Sequence, residues 1–467
     1  MSLLTKFCYP YDPKARNDRF YNLSPMPRWL WVTIIAIATV LYIMQLAIFS
    51  KGSILMDGYS YYNAWETIKG GHTDYLRTPV YTIVVGALYE IFGKQGSLIL
   101  IPAVNWIFYI VSIRLLWDIN QQLEGEKTAL NATCMLTLML IPGFWLLVNF
   151  SMAEVMALMW LTMLLWLTPK LLIAWSQRLL YLCGGLIAVT VLTKPLLIFL
   201  VVLMPTLWII AGWKRNGILL SVTKAMILPV TLLTGYLYCM VHTYEMPYFT
   251  IANSYNTYIC LRNDSLLKPE DIKDEELREN FRQWYELHPG GITETSEYWH
   301  ELRNGYCWQD LGRMCNDAIS SHPGEVAEAV LRRFGTSLTA SQFYNLKEDL
   351  GSAPARMAIY RDWNGLTHNH NDGFIYPLHN ILQPPIFIGL LLTLTYIILW
   401  CRRWRRRHRF PAFAALIAAV YVSAYLVTVT GSPDIWGRIL FPVNPLLAVM
   451  GVSLTAAVVR GCRKTIC

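Results

Sequence analysis

Ten apolar blocks of roughly 17–22 residues, the length that crosses a bilayer as helix, recur along this chain. They cover 30–50, 97–117, 128–148, 153–169, 179–194, 195–212, 221–242, 384–401, 411–430 and 439–459. Backbone polar groups in hydrocarbon must be satisfied within their own segment, so each block is expected to be a helix. The chain therefore reads as an all-α polytopic membrane protein with about ten transmembrane helices. Its balance of 55% hydrophobic against 15% charged residues is far from that of a soluble domain. Pro169 and Pro195 are expected at element ends, where a missing N–H costs little.

The net charge of +8 does not describe a nucleic-acid groove. Basic residues stand in short flanks beside apolar blocks, as in RRWRRRHR at 402–409, which is a topology signal. Placing Lys6, Lys14, Arg16, Arg19 and Arg28 in the cytoplasm brings Lys170, Arg178, Lys214, Arg215, the 402–409 run and Arg460, Arg463 and Lys464 to the same side. Both termini are then cytoplasmic. The polar leader lacks a small-residue cleavage site, so the first block is expected to be an uncleaved anchor.

This orientation requires that PVYTIVVGALYEIF (79–92) does not cross; it is expected to lie in the outer interface as an amphipathic helix. The first external loop is then 51–96, with two short helices. Three regions follow: an N-terminal transmembrane module (1–242), an external domain (243–383) and C-terminal transmembrane helices (384–467). Within the mostly helical external domain, KPEDIKDEELRENFRQWYELH (268–288) reads as one helix with Pro269 near its start, and HPGEVAEAVLRRF (322–334) as another. Cys134 and Cys183 fall inside apolar blocks and read as packing residues. Cys260, Cys307 and Cys315 fall in the external domain, where the spacing leaves one disulfide or none open.

Five ionisable residues gather at the external ends of the spans: Asp57, Arg77, Glu154, Lys194 and Arg438. Each has a structural reading beside a functional one. Asp57 suits a helix N-cap, or a carboxylate that takes a proton from a hydroxyl nucleophile, with Tyr61 one turn on. Glu154 completes an S-x-x-E capping box with Ser151. Lys194, in VLTKPLL, either snorkels to headgroups or contacts a phosphate. Arg77 opens the interfacial helix, where a headgroup contact is the plain reading. Arg438 opens the last span from outside, and its guanidinium suits bidentate phosphate binding.

In THNHNDGFIYPLH (367–379), His368, His370 and Asp372 stand two apart, but without CxxC or HExxH context a polar loop is favoured over a metal site. The sequence holds no Walker loop and no GxGxxG after a strand, so nucleotide donors have no motif. No cofactor is certain from the sequence, and a divalent metal stays open without a motif to support it.

The order of these features resembles the polytopic glycosyltransferases of the GT-C fold. An acid beyond the first span is followed by a Tyr-rich helix and RTPVYTIVVGALYEIFGKQG. A Glu at a later span start, an LTKP break and GRILFPVNPLLAVMG come after. The branch it is most similar to holds the bacterial aminoarabinose transferase and the protein O-mannosyltransferases. The likeness covers about 30–240 and the last span. It implies an inverting transfer from a polyprenyl-phosphate sugar donor to a lipid, glycan or protein acceptor on the external face of a bacterial inner membrane. An endoplasmic reticulum location would keep the same topology with the lumen outside. It further implies Asp57 as base or acceptor-orienting group, Glu154 as a second acid, and Tyr61, Arg77, Lys194 and Arg438 as substrate contacts. Two departures stand out. Gly58 follows the first-loop acid where a second acid would make a carboxylate pair, and RTP stands where KPP is common.

Three rival readings remain beside it. An oligosaccharide polymerase or ligase with diphosphate-linked donors would lean on paired arginines, and Arg332–Arg333 is the external pair. A lipid or solute transporter would show inverted repeats and midplane charges. A membrane scaffold with an external recognition domain would leave the boundary acids and Lys194 unexplained.

Overall fold

The computed structural model describes residues 23–48, 56–124, 128–140, 147–149, 152–173, 175–213, 215–287, 308–339 and 410–431, with 440, 442–446 and 449. Among these residues every regular element is helical and none is a strand. The expected span 384–401, most of 439–459, and the loop with His368, His370 and Asp372 lie outside the described residues.

Helix α1 spans Arg28–Ile48. Leu30, Ile34 and Ala38, four apart, are buried along one stripe, whereas Val32, Val40 and Ile43 are exposed. An apolar helix with an exposed apolar back is a helix made to face lipid. The hydroxyls of Thr33 and Thr39 donate to the carbonyls of Trp29 and Ile35 at 2.8 Å, so both are satisfied within the helix.

Helix α2 (Met56–Lys69) folds back on α3 (Pro79–Glu124). At 1.5 Å per residue, 46 residues would run about 69 Å, more than twice a hydrocarbon core. Gly93 resolves the excess: its φ of 68° and ψ of 179° break the helix into two arms. Residues 79–92 and 97–117, read from the sequence as an interfacial helix and a separate span, are thus arms of one kinked helix. They meet end to end at one glycine, the residue type that reaches positive φ without steric cost. A second glycine fixes how closely α2 lies on the first arm, because a Cβ on Gly86 would stand 2.0 Å from the Trp65 ring. Lys69 Nζ and Trp65 Nε1 both donate to Glu90 Oε1, at 2.7 and 3.0 Å, and clasp the same two helices.

Helix α4 covers Thr128–Leu140, α5 Glu154–Ile173, α6 Gln177–Thr193, α7 Leu200–Gly212 and α8 Ile218–Tyr244. Pro169 was expected at an element end, but α5 runs through it to Ile173. Lying in the last turns, it removes a single late hydrogen bond. Pro195 does sit at an end, opening a 3-10 turn (Pro195–Phe199) that precedes α7. Among the described residues, three helices are long and apolar enough to cross a membrane: Pro79–Leu123, Glu154–Leu172 and Ile218–Tyr244. The main core joins α1, α3 to α8 and α13 (Phe410–Gly431), around Trp117 and Trp208. At one end of α3 the buried Asp118 accepts from Arg114 and from Trp166 Nε1.

The segment after α8 builds its own core. It holds α9 (Ala252–Asn263), a 3-10 turn (Pro269–Asp271), α10 (Glu275–Leu287), α11 (Trp308–Ser321) and α12 (Pro323–Thr339). Tyr258, Leu267, Ile272, Phe281, Leu311 and Met314 are among its buried residues. The single helix expected over 268–288 is therefore divided. Asp271 accepts from Lys268 N at 3.0 Å and closes the 3-10 turn, and Asp274 Oδ1 accepts from Leu277 N at 3.1 Å and starts α10 afresh. Two capping acids three residues apart stop and restart the helix. The helix expected at 322–334 is present as α12. No disulfide joins Cys260 to Cys315, both buried; Cys307 is outside the described residues.

Candidate functional site

Lys194 owes its position to Pro195. A residue before proline is pushed out of the α region, and Lys194 has φ −142° and ψ 100°. Helix α6 ends there, and the side chain leaves the helix axis within an otherwise apolar run. Its Nζ donates to Glu154 Oε1 at 2.7 Å. Glu154 is the first residue of α5, where a helix N-terminus favours a carboxylate. The two side chains are 19% and 6% exposed, so the pair is shielded from screening and cannot be a snorkelling lysine with a separate cap. Ser151, the other half of the expected capping box, lies outside the described residues.

The first loop reaches the same place from the other side. Tyr61, on α2, is buried with its ring edge-on to Tyr81 of α3, centroids 4.9 Å apart. Tyr61 and Tyr81 share an apolar cluster with Ala153 and Met156, which flank Glu154. The Arg77 guanidinium stands over the Tyr61 ring at 4.8 Å, and its Nε donates to Ser60 Oγ at 2.5 Å. Thr78 Oγ1 donates to Thr193 O at 3.2 Å, which ties the residue after Arg77 to the residue before Lys194. Tyr61, Arg77, Glu154 and Lys194, from separate elements, thus surround one locus.

Asp57 lies in the first turn of α2, since the helix begins at Met56; this places it inside the helix rather than at its N-cap. Its side chain and all of Arg438 are outside the described residues. Among the described residues there is no group of three or more His, Cys, Asp or Glu able to hold a metal ion.

Several residues here have no counterpart in the sequence reading. Asp74 is buried, and its Oδ1 accepts from Leu76 N at 2.9 Å and Arg77 N at 2.7 Å. Burial pushes its carboxyl above the ordinary range, against the pull of those two N–H groups and of the Arg77 charge. The carbonyls of four consecutive residues are also occupied. Thr73 O accepts from Tyr244 OH at 2.6 Å and Asp74 O from Tyr236 OH at 3.4 Å. Tyr75 O accepts from Ile251 N at 2.9 Å and Leu76 O from Thr250 Oγ1 at 2.8 Å. The backbone that carries Arg77 is therefore held by the end of α8 and the segment after it. Between them lies a cleft of about 400 Å³, whose walls include His72, Asp74, Arg77, Tyr236, Cys239 and His242.

No protein-family profile matches the chain, and no curated protein sequence matches it. Solved structures do. The archaeal oligosaccharyltransferase AglB from Archaeoglobus fulgidus, in complex with an inhibitory peptide and a dolichol-phosphate, aligns with 92% of this chain and 50% of its own. Its TM-score is 0.42 at 12% identity. The apo oligosaccharyltransferase of that organism aligns at TM-score 0.46 and 12% identity, over 94% of this chain and 52% of its own. ArnT from Cupriavidus metallidurans bound to undecaprenyl phosphate aligns at TM-score 0.36 and 14% identity, over 91% and 77%. The chain spans about half the length of the archaeal enzyme.

Proposed function

We propose that the chain is a glycosyltransferase that moves a sugar from a polyprenyl-phosphate donor to a hydroxyl acceptor at the external face of a membrane. The observation that carries this reading is the Lys194–Glu154 pair at 2.7 Å, set beside Tyr61 and Arg77 of the first loop. A cation fixed by a carboxylate in a water-poor site suits a phosphate leaving group, which gains charge as its bond to the sugar breaks. In this reading the acceptor oxygen attacks the anomeric carbon, the carbon–oxygen bond to phosphate breaks, and the configuration inverts. The acceptor proton passes to Asp57. Glu154 orients Lys194, and Lys194, Arg77 and Arg438 face the departing phosphate.

The wider assignment belongs to the same proposal. It comprises ten spans with both termini cytoplasmic, the 1–242, 243–383 and 384–467 division, and a bacterial inner membrane. The diphosphate-donor polymerase or ligase reading gains no support from its arginine pair. Arg332 Nη2 donates to Asp264 Oδ1 at 3.0 Å and Arg333 Nε lies 3.6 Å from Oδ2, a contact that joins α12 to the end of α9.

The test is mass spectrometry of membrane lipids from a host deleted for the gene, complemented with wild type, Asp57→Asn or Lys194→Met. A polyprenyl-phosphate monosaccharide should accumulate on deletion and be cleared by wild type alone. If no such lipid accumulates, or if Asp57→Asn clears it fully, the transferase reading is wrong.

A further inference from the structure

The cleft between the first loop and the end of α8 is within the size range of small-molecule sites, about 300–1,000 Å³. Its walls are preformed. One is the 73–76 backbone with every carbonyl taken, and the other carries the tyrosines whose hydroxyls take two of them. Thr73 Oγ1, on this wall, is buried without a hydrogen-bond partner, a costly state for a hydroxyl unless something enters to meet it.

The lining chemistry selects the ligand. Its fixed charges are one Arg77 and one Asp74, of opposite sign, so the lining as a whole is neutral. His72, Thr73, His242 and Thr243 each offer groups that both donate and accept, as hydroxyls do. Tyr236 and Tyr238 add aromatic faces for carbon–hydrogen surface. We infer that this cleft binds a neutral, hydroxyl-rich group of saccharide size, held by Thr73, His72 and His242 and presented to Arg77. The inference rests on the glycosyl-transfer reading for its purpose, and the sugar belongs either to the lipid-linked donor or to the acceptor.

Cys239 supplies the assay, because its thiol is exposed and lines the cleft. The full chain in nanodiscs is alkylated with N-ethylmaleimide, and the adduct on the Cys239 peptide is followed by mass spectrometry. The buried Cys315 thiol, which stays unmodified in folded protein, reports integrity in every variant. Mannose, glucose, galactose, arabinose and N-acetylglucosamine are the probes, with inorganic phosphate as the anionic comparison. At least one sugar should slow the reaction about tenfold at ten times its Kd. Thr73→Val and His242→Phe should abolish that protection with Cys315 still unmodified. No protection by any sugar, or equal protection by phosphate, overturns the inference.

A second arm compares free mannose with dolichyl-phosphate mannose. Protection at a tenfold or greater lower concentration of the lipid-linked form assigns the cleft to the donor's sugar. Equal or better protection by the free sugar assigns it to the acceptor's. Protection without any lipid change in the deletion experiment would keep the cleft and remove the transferase reading, and transfer without protection would do the reverse.

Discussion

Removing the Glu154 charge leaves Lys194 without its carboxylate in a poorly hydrated site. Glu154→Gln should therefore lower stability by roughly 1.5–3 kcal/mol, read as a fall in thermal transition in detergent. Glu154→Gln combined with Lys194→Met should cost less than the two single losses summed, since the pair is one interaction. Strict additivity would mean that the two side chains do not depend on each other. Asp74 gives a second prediction. Asp74→Ala abandons the Leu76 and Arg77 amides and should cost about 1–3 kcal/mol, whereas Asp74→Asn keeps an accepting oxygen and should recover most of it. An Asn variant as unstable as Ala would show that the charge, not the acceptor, matters there. Lys194 was legible because a lone cation before a proline interrupts an apolar run. Glu154 was legible too, but their pairing was not, because 40 residues of chain separate them and sequence spacing carries no distance between helices. Asp74 was missed because GGHTDYL reads as ordinary polar loop. The Asp-x-Leu-Arg spacing, which permits a side chain to meet amides two and three residues on, is the signal that could have found it.

A helix ends at Lys194 before Pro195, as the sequence placed it, whereas α5 runs through Pro169 to Ile173. Residues 79–92 and the second span join through Gly93 because both arms find partners, α2 for one and α5 for the other. The division of 268–288 was encoded in Asp271 and Asp274, but an amphipathic run conceals internal caps. This same junction titrates. His322, between α11 and α12, sets Nε2 2.8 Å from Asp271 Oδ1 and Nδ1 3.4 Å from Glu325 Oε1. The hydrogen bond to Asp271 raises its pKa above 6.5, with Glu325 adding to the effect and partial burial opposing it. A folded pKa above the unfolded one contributes stability that is full below about pH 6.5 and is lost as pH rises through the raised value. Amide exchange over 268–278 should accelerate across that window beyond its intrinsic pH dependence. His322→Gln should remove the excess; an unchanged excess in that variant would exclude His322 as its source.

At the scale of the whole chain, hydropathy drew the membrane part and the helical segment after α8, and the structure gives each its own core. The orientation rests on the basic flanks and has a direct check. Single cysteines placed at Glu276, on α10, and at Arg405, in the basic run, should react with a membrane-impermeant maleimide from opposite sides of sealed vesicles. Reaction from one side only would overturn the ten-span count. Composition could not foresee that the two parts interlock, since the contacts are three hydroxyls and one backbone amide: Tyr236 and Tyr244 within an apolar helix, and Thr250 and Ile251 N beyond it.

Those hydroxyls decide where the molecule can be cut. Hydropathy places the seam after residue 242, yet the four carbonyls of 73–76 are held by residues 236–251. A chimera joined at 242 would bring a foreign segment against this loop and release three of the four carbonyls, because Tyr244, Thr250 and Ile251 lie beyond the seam. One joined after Ile251 would carry the whole fastening with it. Grafting a different external region onto this membrane part is thus a question of keeping nine residues, 243–251, more than the hydropathy profile asks for.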